Sequence, residues 1–209
     1  KQVKRLNTHT RYLHQNVIEF AEKLTGLMPD GLDVAMFTCT GTEANELAMR
    51  IARTISGKNG IIVTKSAYHG NSTLVHELST CKYDPVDIPS HVATITAPNP
   101  YRTEGDMSGE VDAAIAALDD RGEGAAALLV DTIYDAEGVY IAPEGYLKSV
   151  ADKIRAAGGL LVADEVQAGI CRTGKWWGFE HAGVTPDIVT LGKPLGCGHP
   201  VAAVVTSKE

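Results

Sequence analysis

The chain has 209 residues, 44% of them hydrophobic, with no apolar stretch long enough to span a bilayer, so a substantial soluble core is expected: one domain plus an incomplete appendage. Nineteen basic against twenty-six acidic side chains give a formal charge of −7, which argues against a nucleic-acid or anionic-membrane surface and means that a small anionic ligand needs a local site. Cys39, Cys81, Cys171 and Cys197 make no C-x-x-C pair and no secretory signal is visible, so reduced thiols in a cytoplasmic protein are expected.

The chain opens on Lys1 and stops at Glu209 straight after an apolar run, the pattern of a processed or partial chain. Residues 1–33 read as a leader: Leu13, Val17, Ile18, Phe20, Ala21 and Leu24 fall at helical spacing before Gly26, an amphipathic helix that needs a surface to pack on. From residue 34 to 209 short apolar runs alternate with helical patterns. The strands are expected at Val34–Thr38, Ile61–Thr64, Val92–Thr96, Ala126–Asp131, Leu160–Ala163, Ile188–Leu191 and Val201–Thr206. One helix opens near Thr42, carries Ala44, Leu47, Ala48, Ile51, Ala52 and Ile55 on its inner face, and stops at Gly57; another runs from Pro143 to Gly158-Gly159. Asn99–Gly109, rich in Gly, Pro and charge, reads as a mobile loop. The alternation indicates an α/β fold with a mostly parallel sheet covered on both faces, whose ligands sit beyond the carboxyl ends of the strands.

Chemistry-bearing residues fall at those ends. After the first strand, Cys39-Thr40-Gly41-Thr42-Glu43-Ala44-Asn45 turns into a helix, which makes either a phosphate seat at Gly41 and Thr42 or an ordinary capping box of Thr40 with Glu43. Tyr68-His69-Gly70 supplies either an aromatic face for a ligand or core packing. At Asp164-Glu165-Val166-Gln167 one carboxylate is positioned to pair with a cationic ring nitrogen and Gln167 with an adjacent ring oxygen; the alternative is a solvated acid or one partnered by Arg172. Lys193 follows Ile188-Val189-Thr190-Leu191 into a Gly/Pro turn, well placed to form an imine. Gly196-x-Gly198 lacks the third glycine of a dinucleotide turn, Trp176 and Trp177 read as loop or subunit packing, and His9, His14, His76, His91 and His181 have no metal-site spacing. A phosphate seat, an aromatic face, a strand-end acid and a strand-end lysine are together the contacts that pyridoxal 5'-phosphate requires.

In order and separation, Gly41-Thr42-Glu43-Ala44-Asn45-Glu46, Tyr68-His69-Gly70, Ala163 to Gly169, Arg172-Thr173-Gly174 and Pro186 to Lys193 resemble the class III pyridoxal-phosphate aminotransferases over nearly the whole chain. The resemblance implies a fold-type I large domain with a seven-stranded, mostly parallel sheet, and a homodimer or larger assembly with sites at the subunit interface. It implies that Lys193 holds the cofactor as a Schiff base, Asp164 pairs with its pyridine nitrogen, Gln167 lies near its ring oxygen, Gly41 and Thr42 hold its phosphate, Tyr68 stacks on the ring and His69 supports from behind. Residues 7–14 and 192–201 look like the branch that includes alanine–glyoxylate aminotransferase 2 and the ethanolamine-phosphate phospho-lyases, so transamination between an amino donor and a 2-oxo acid is expected, with phosphate elimination from a phosphorylated amino alcohol as the alternative. A non-catalytic α/β binding or assembly module is the alternative of another class. Two departures stand out. Asp131 occupies a strand end where many relatives have glutamate and is a substrate-side candidate; and the family's C-terminal small domain, with its carboxylate-binding arginine, lies beyond Glu209.

Overall fold

The computed structural model describes residues 4, 11–82, 84, 87–102 and 107–208. Residues 7–10 of the leader, His9 among them, and residues 103–106 of the expected loop lie outside these. The strands are β1 (Val34–Thr38), β2 (Gly60–Thr64), β3 (Val92–Ile95), β4 (Ala125–Asp131), β5 (Leu160–Asp164), β6 (Ile188–Leu191) and β7 (Ala202–Thr206). They form one seven-stranded sheet in the order β1-β7-β6-β5-β4-β2-β3. The block β3-β2-β4-β5-β6 is parallel, and β7 runs antiparallel between β6 and β1. Among the described residues no helix is long and apolar enough to cross a membrane.

Side chains alternate across the sheet, so each strand feeds two cores. Ala127 and Leu129 of β4 join Val162, Ile188 and Val204 under helix α2 (Gly41–Ser56). Leu128 and Val130 join Leu161 on the other face, under α4 (Gly109–Asp120) and α5 (Tyr146–Ala156). A short helix, α3 (Thr73–Glu77), follows β2. The leader helix α1 (Gln15–Thr25) leans on β1 through Phe20, whose ring stacks on Phe37 at 5.1 Å, and it is tied down by Trp177, whose indole N–H donates to Leu27 O at 2.8 Å. Much of its expected apolar face stays outside: Leu13 is 91% and Val17 49% exposed.

Two expectations need correction. The inner face of α2 is built from Ala44, Asn45, Ala48, Met49 and Ala52, while Ile55 is exposed, because three alanines one turn apart let the helix lie close on the sheet and turn its larger side chains to the flank. Helix α5 starts at Tyr146, not Pro143: Gly145 adopts φ +79°, a left-handed conformation that ends any helix begun before it, and Pro143 instead closes a turn by accepting from Tyr146 N–H.

Candidate active site

The carboxyl ends of β1, β2, β4, β5 and β6 surround a cavity of about 210 Å³. Its wall includes Thr40, Gly41 and Thr42 from the start of α2, Tyr68 and His69 from the loop after β2, Asp131 and Asp135 after β4, Asp164, Val166 and Gln167 after β5, and Lys193 after β6. The sequence candidates for phosphate, ring, acid and amine contacts therefore meet in one place.

At the start of α2 the capping box forms and leaves two N–H groups over. Thr40 Oγ1 accepts from Glu43 N–H at 3.1 Å, and the Glu43 carboxylate accepts from Cys39 and Thr40 N–H at 2.8 and 2.9 Å. The first intrahelical bond is Ala44 N–H to Thr40 O. Among the described residues the N–H groups of Gly41 and Thr42 are left without an acceptor at the positive end of a helix of 16 residues. Gly41 is required by close packing: a Cβ there would stand 2.9 Å from both methyls of Val166. Gly192 is confined less tightly, its added Cβ falling 3.1 Å from Val166 Cγ1 and 3.4 Å from Gly41 Cα, so the lysine turn and the helix start pack against each other.

Asp164 is buried and fully engaged. Its Oδ2 accepts from Asn45 Nδ2 and faces His69 Nδ1, both at 2.8 Å, and Oδ1 accepts from Val166 N–H at 3.0 Å. Asn45 also donates to His69 O and accepts from Thr190 Oγ1 at 2.6 Å. Asn45 and Thr190 thus fix the acid from behind, and neither was a sequence candidate for the site. The His69 backbone N–H is held by Ser79 Oγ at 3.0 Å. The alternatives of a solvated Asp164 or an Arg172 partner do not describe this geometry. Asp131, the substrate-side candidate, sits directly beside Asp164 in the register of β4 and β5. Burial, reinforced by the Asp164 charge, pushes its carboxyl well above the usual range, and its oxygens accept from Ile133 and Asp135 N–H at 3.1 and 2.7 Å.

Lys193 leaves β6 through Gly192 and has φ +30°. Its Nζ donates to Gln167 Oε1 and lies 3.7 Å from Asp135 Oδ2. The side chain is half exposed and aimed into the cavity wall rather than the core. Tyr68 is 46% exposed, which leaves a ring face available, and Lys82 Nζ lies 5.7 Å from its centroid.

Glu165, the neighbour of Asp164, points the other way and holds Gly178 and Phe179, between β5 and β6, in place. It accepts from Thr132 Oγ1 at 2.7 Å and from Gly178 and Phe179 N–H at 2.7 and 2.9 Å. Burial outweighs these donors and raises its carboxyl to about 7. Because that lies above the unfolded value, the fold binds more protons than the unfolded chain between pH of about 4.5 and about 7, and this group's contribution to stability falls as pH rises through that window. Glu165→Gln is therefore expected to gain on the native protein by roughly 3 kcal/mol as pH rises from about 5 to about 8, read from urea midpoints. A difference that does not move with pH would show that Glu165 is ionised throughout.

The remaining candidates fall outside the cavity. Trp177 is buried against Phe179 and the leader, Trp176 is 44% exposed, and His91 pairs with Glu77 at 3.2 Å. His181 Nε2 lies 2.9 Å from Thr173 Oγ1, and His14 caps α1 by accepting from Asn16 N–H.

Comparison with known proteins follows the same lines. The family model for aminotransferase class-III matches residues 1–209. An alanine–glyoxylate aminotransferase 2-like protein of Drosophila melanogaster is 36% identical over all of this chain and 45% of its own length. A phospholyase from Arthrobacter, solved in complex with phosphoethanolamine, is 41% identical with a TM-score of 0.93 over 99% of this chain and 51% of that one. A taurine:2-oxoglutarate aminotransferase from Bifidobacterium kashiwanohense, solved with PLP and glutamate, is 28% identical with a TM-score of 0.79 over 95% of this chain and 48% of that one. The chain spans about half the length of the relatives it matches.

Proposed function

Because the chain belongs to the class III aminotransferase family, we propose that it is the cofactor-binding part of a pyridoxal-phosphate-dependent aminotransferase, which transfers an amino group from an amino acid or amine to a 2-oxo acid through a Schiff base at Lys193. The observation that carries this reading is the convergence of Lys193, Asp164, Gln167, Tyr68 and the start of α2 on one cavity. The residues fit the group. The N–H groups of Gly41 and Thr42, without an acceptor among the described residues, suit its phosphate, the open face of Tyr68 its ring, the anchored carboxylate of Asp164 its pyridine nitrogen, and Gln167 its ring oxygen.

Bound pyridoxal phosphate supplies an electron-withdrawing ring that makes the substrate's Cα–H acidic. The chain's residues do the rest. Asp164 holds a negative charge where a ring proton must be retained, and Asn45, His69 and Val166 N–H keep that carboxylate from rotating away. Lys193 Nζ, the amine of the cavity wall, would hold the group and would be the base that takes the substrate's Cα proton. Gln167 Oε1, already its acceptor, would keep that amine within the cavity. Asp131 stands on the substrate side of the wall.

We assign residues 34–209 to the large domain and 1–33 to its leader. A homodimer belongs to the same reading, supported by the apolar side chains that α1 leaves exposed. Four exposed free cysteines support a cytoplasmic location. The full-length protein loaded with pyridoxal phosphate is expected to form an amino acid from a 2-oxo acid and an amino donor. The likeness to the Arthrobacter phospholyase favours one second reading, elimination from a phosphorylated amino alcohol. Phosphate released from such a substrate without any 2-oxo acid present would decide for elimination; neither product from any donor would overturn both.

A further inference from the structure

His69 is engaged on one side of its ring. Nδ1 faces Asp164 Oδ2, while Nε2 is buried without a hydrogen-bond partner among the described residues, in a side chain that has no exposed surface. A ring nitrogen enclosed in this way leaves a polar group unmatched in either tautomer, and buried polar groups are nearly always matched.

Glu137 is a second buried group that the chemistry of the cavity does not use. It does not line the cavity; the turn Asp135–Glu137 after β4 carries it over the end of β2, where its Oε1 accepts from Thr64 Oγ1. Thr64 O accepts from Thr80 Oγ1 at 2.8 Å, and Thr80 Oγ1 accepts from Ala67 N–H at 3.0 Å, so the anchor of Glu137 is tied to the loop that presents His69. Burial raises the Glu137 carboxyl, and the Thr64 hydroxyl and then the His69 ring oppose that rise, which puts the ring within electrostatic reach of the carboxyl. The turn is held in an unusual backbone. Tyr134 has φ +50° and Val139 φ +61°, with Gly138 between Glu137 and Val139 at φ +132°. Tyr134 O accepts from Glu137 and Val139 N–H at 3.1 and 3.0 Å, and the buried Tyr134 ring stacks on Tyr140 at 5.1 Å. Left-handed non-glycine residues on both flanks persist where the surrounding structure fixes what lies between them.

We propose that Glu137 is a positioning residue for Asp164: its carboxyl partners His69 Nε2, directly or through one water, so that Asp164, His69 and Glu137 form one chain and the ring cannot turn away from Asp164 Oδ2. A carboxyl suits that nitrogen in either state, since it accepts from Nε2–H when ionised and donates to the bare nitrogen when protonated. Held at both nitrogens, an imidazole keeps one plane, and the carboxylate it faces keeps its direction. The proposal deepens the aminotransferase reading and rests on it for what Asp164 does to the bound ring; the contact between Glu137 and His69 does not depend on it.

The test uses the full-length protein as native, Glu137→Gln and Glu137→Leu forms. Glutamine keeps the size and a group able to donate or accept, whereas leucine keeps the bulk and removes both. Selective ¹⁵N-histidine labelling of the cofactor-free protein reads the His69 Nε2 resonance, assigned by its loss in His69→Gln. It is expected to move toward that of an unbonded ring nitrogen in the Leu variant and to stay near its native position in the Gln variant. Loaded with pyridoxal phosphate, the Leu variant is expected to lose about 10-fold in kcat with little change in KM, and the Gln variant to recover most of it. In the His69→Gln background Glu137→Leu should cost nothing further, because its effect passes through the ring. The same resonance in native and Leu forms overturns the contact. A moved resonance with native kcat overturns the positioning role, and a kcat loss undiminished in the His69→Gln background shows that Glu137 acts through Thr64 instead. If the native protein forms no product from any donor, the aminotransferase reading falls and the resonance alone decides for or against the contact.

Discussion

Lys193→Ala is expected to lose covalent retention of pyridoxal phosphate and to cut turnover by about 10⁴-fold or more, since the same amine serves as attachment point and as base. The fold should survive. The side chain is half exposed and its polar partners are Gln167 and Asp135 at the cavity wall, so truncation falls within about 0.5 kcal/mol of neutral. Borohydride reduction followed by peptide mass mapping reads the outcome directly: the native protein carries the added mass on Lys193 and the variant carries none. The informative failure is an adduct on Lys82, whose ammonium stands 5.7 Å from the Tyr68 ring and is an amine already positioned near the ring wall. That result would show that Tyr68 receives the ring but that Lys193 is not the attachment point.

The strand-to-turn placement of Lys193 was legible because it depends on local pattern alone: a short apolar run, a glycine, a lysine and a proline. The same holds for the strands, whose bounds differ from expectation by a residue at most, and for the mostly parallel sheet. Whether Thr40-Gly41-Thr42-Glu43 caps a helix or holds an anion was not legible. The structure shows the cap, which consumes the N–H of Glu43 and those of Cys39 and Thr40 and does not use those of Gly41 and Thr42. Asn45 and Thr190 escaped notice because each reads as an ordinary position in its own element. One signal was available: Asn45 lies on the alanine face of α2, where a buried amide demands polar partners. Strand alternation likewise separates Asp164 from Glu165, since adjacent side chains at a strand end face opposite sides, one toward the cavity and the other toward Gly178 and Phe179.

Asp164→Asn is expected to slow the Cα proton transfer by on the order of 10²- to 10³-fold while Lys193 still captures the cofactor. The substitution keeps the shape and removes the charge, but it also breaks a donor pattern. Asp164 Oδ2 now accepts from Asn45 Nδ2 and Oδ1 from Val166 N–H, so an amide NH₂ at either position confronts a donor. His69 Nδ1 can switch tautomer to accommodate it, whereas Asn45 is held by His69 O and Thr190 Oγ1 and cannot turn. The variant should therefore lose about 1–3 kcal/mol of stability as well as activity. A third readout separates the electrostatic role from the structural one. Burial is the main cause that raises the Asp131 carboxyl and the Asp164 charge the next, so removal of that charge should lower Asp131 part of the way, visible as a downward shift of its titration in carbon-detected NMR. Slow proton transfer together with a shifted Asp131 would mean that the charge of Asp164 acts in the cavity. Proton transfer at the native rate would remove Asp164 from the mechanism. Slow transfer with an unmoved Asp131 would mean that the variant fails through the broken hydrogen bonds to Asn45 and Val166.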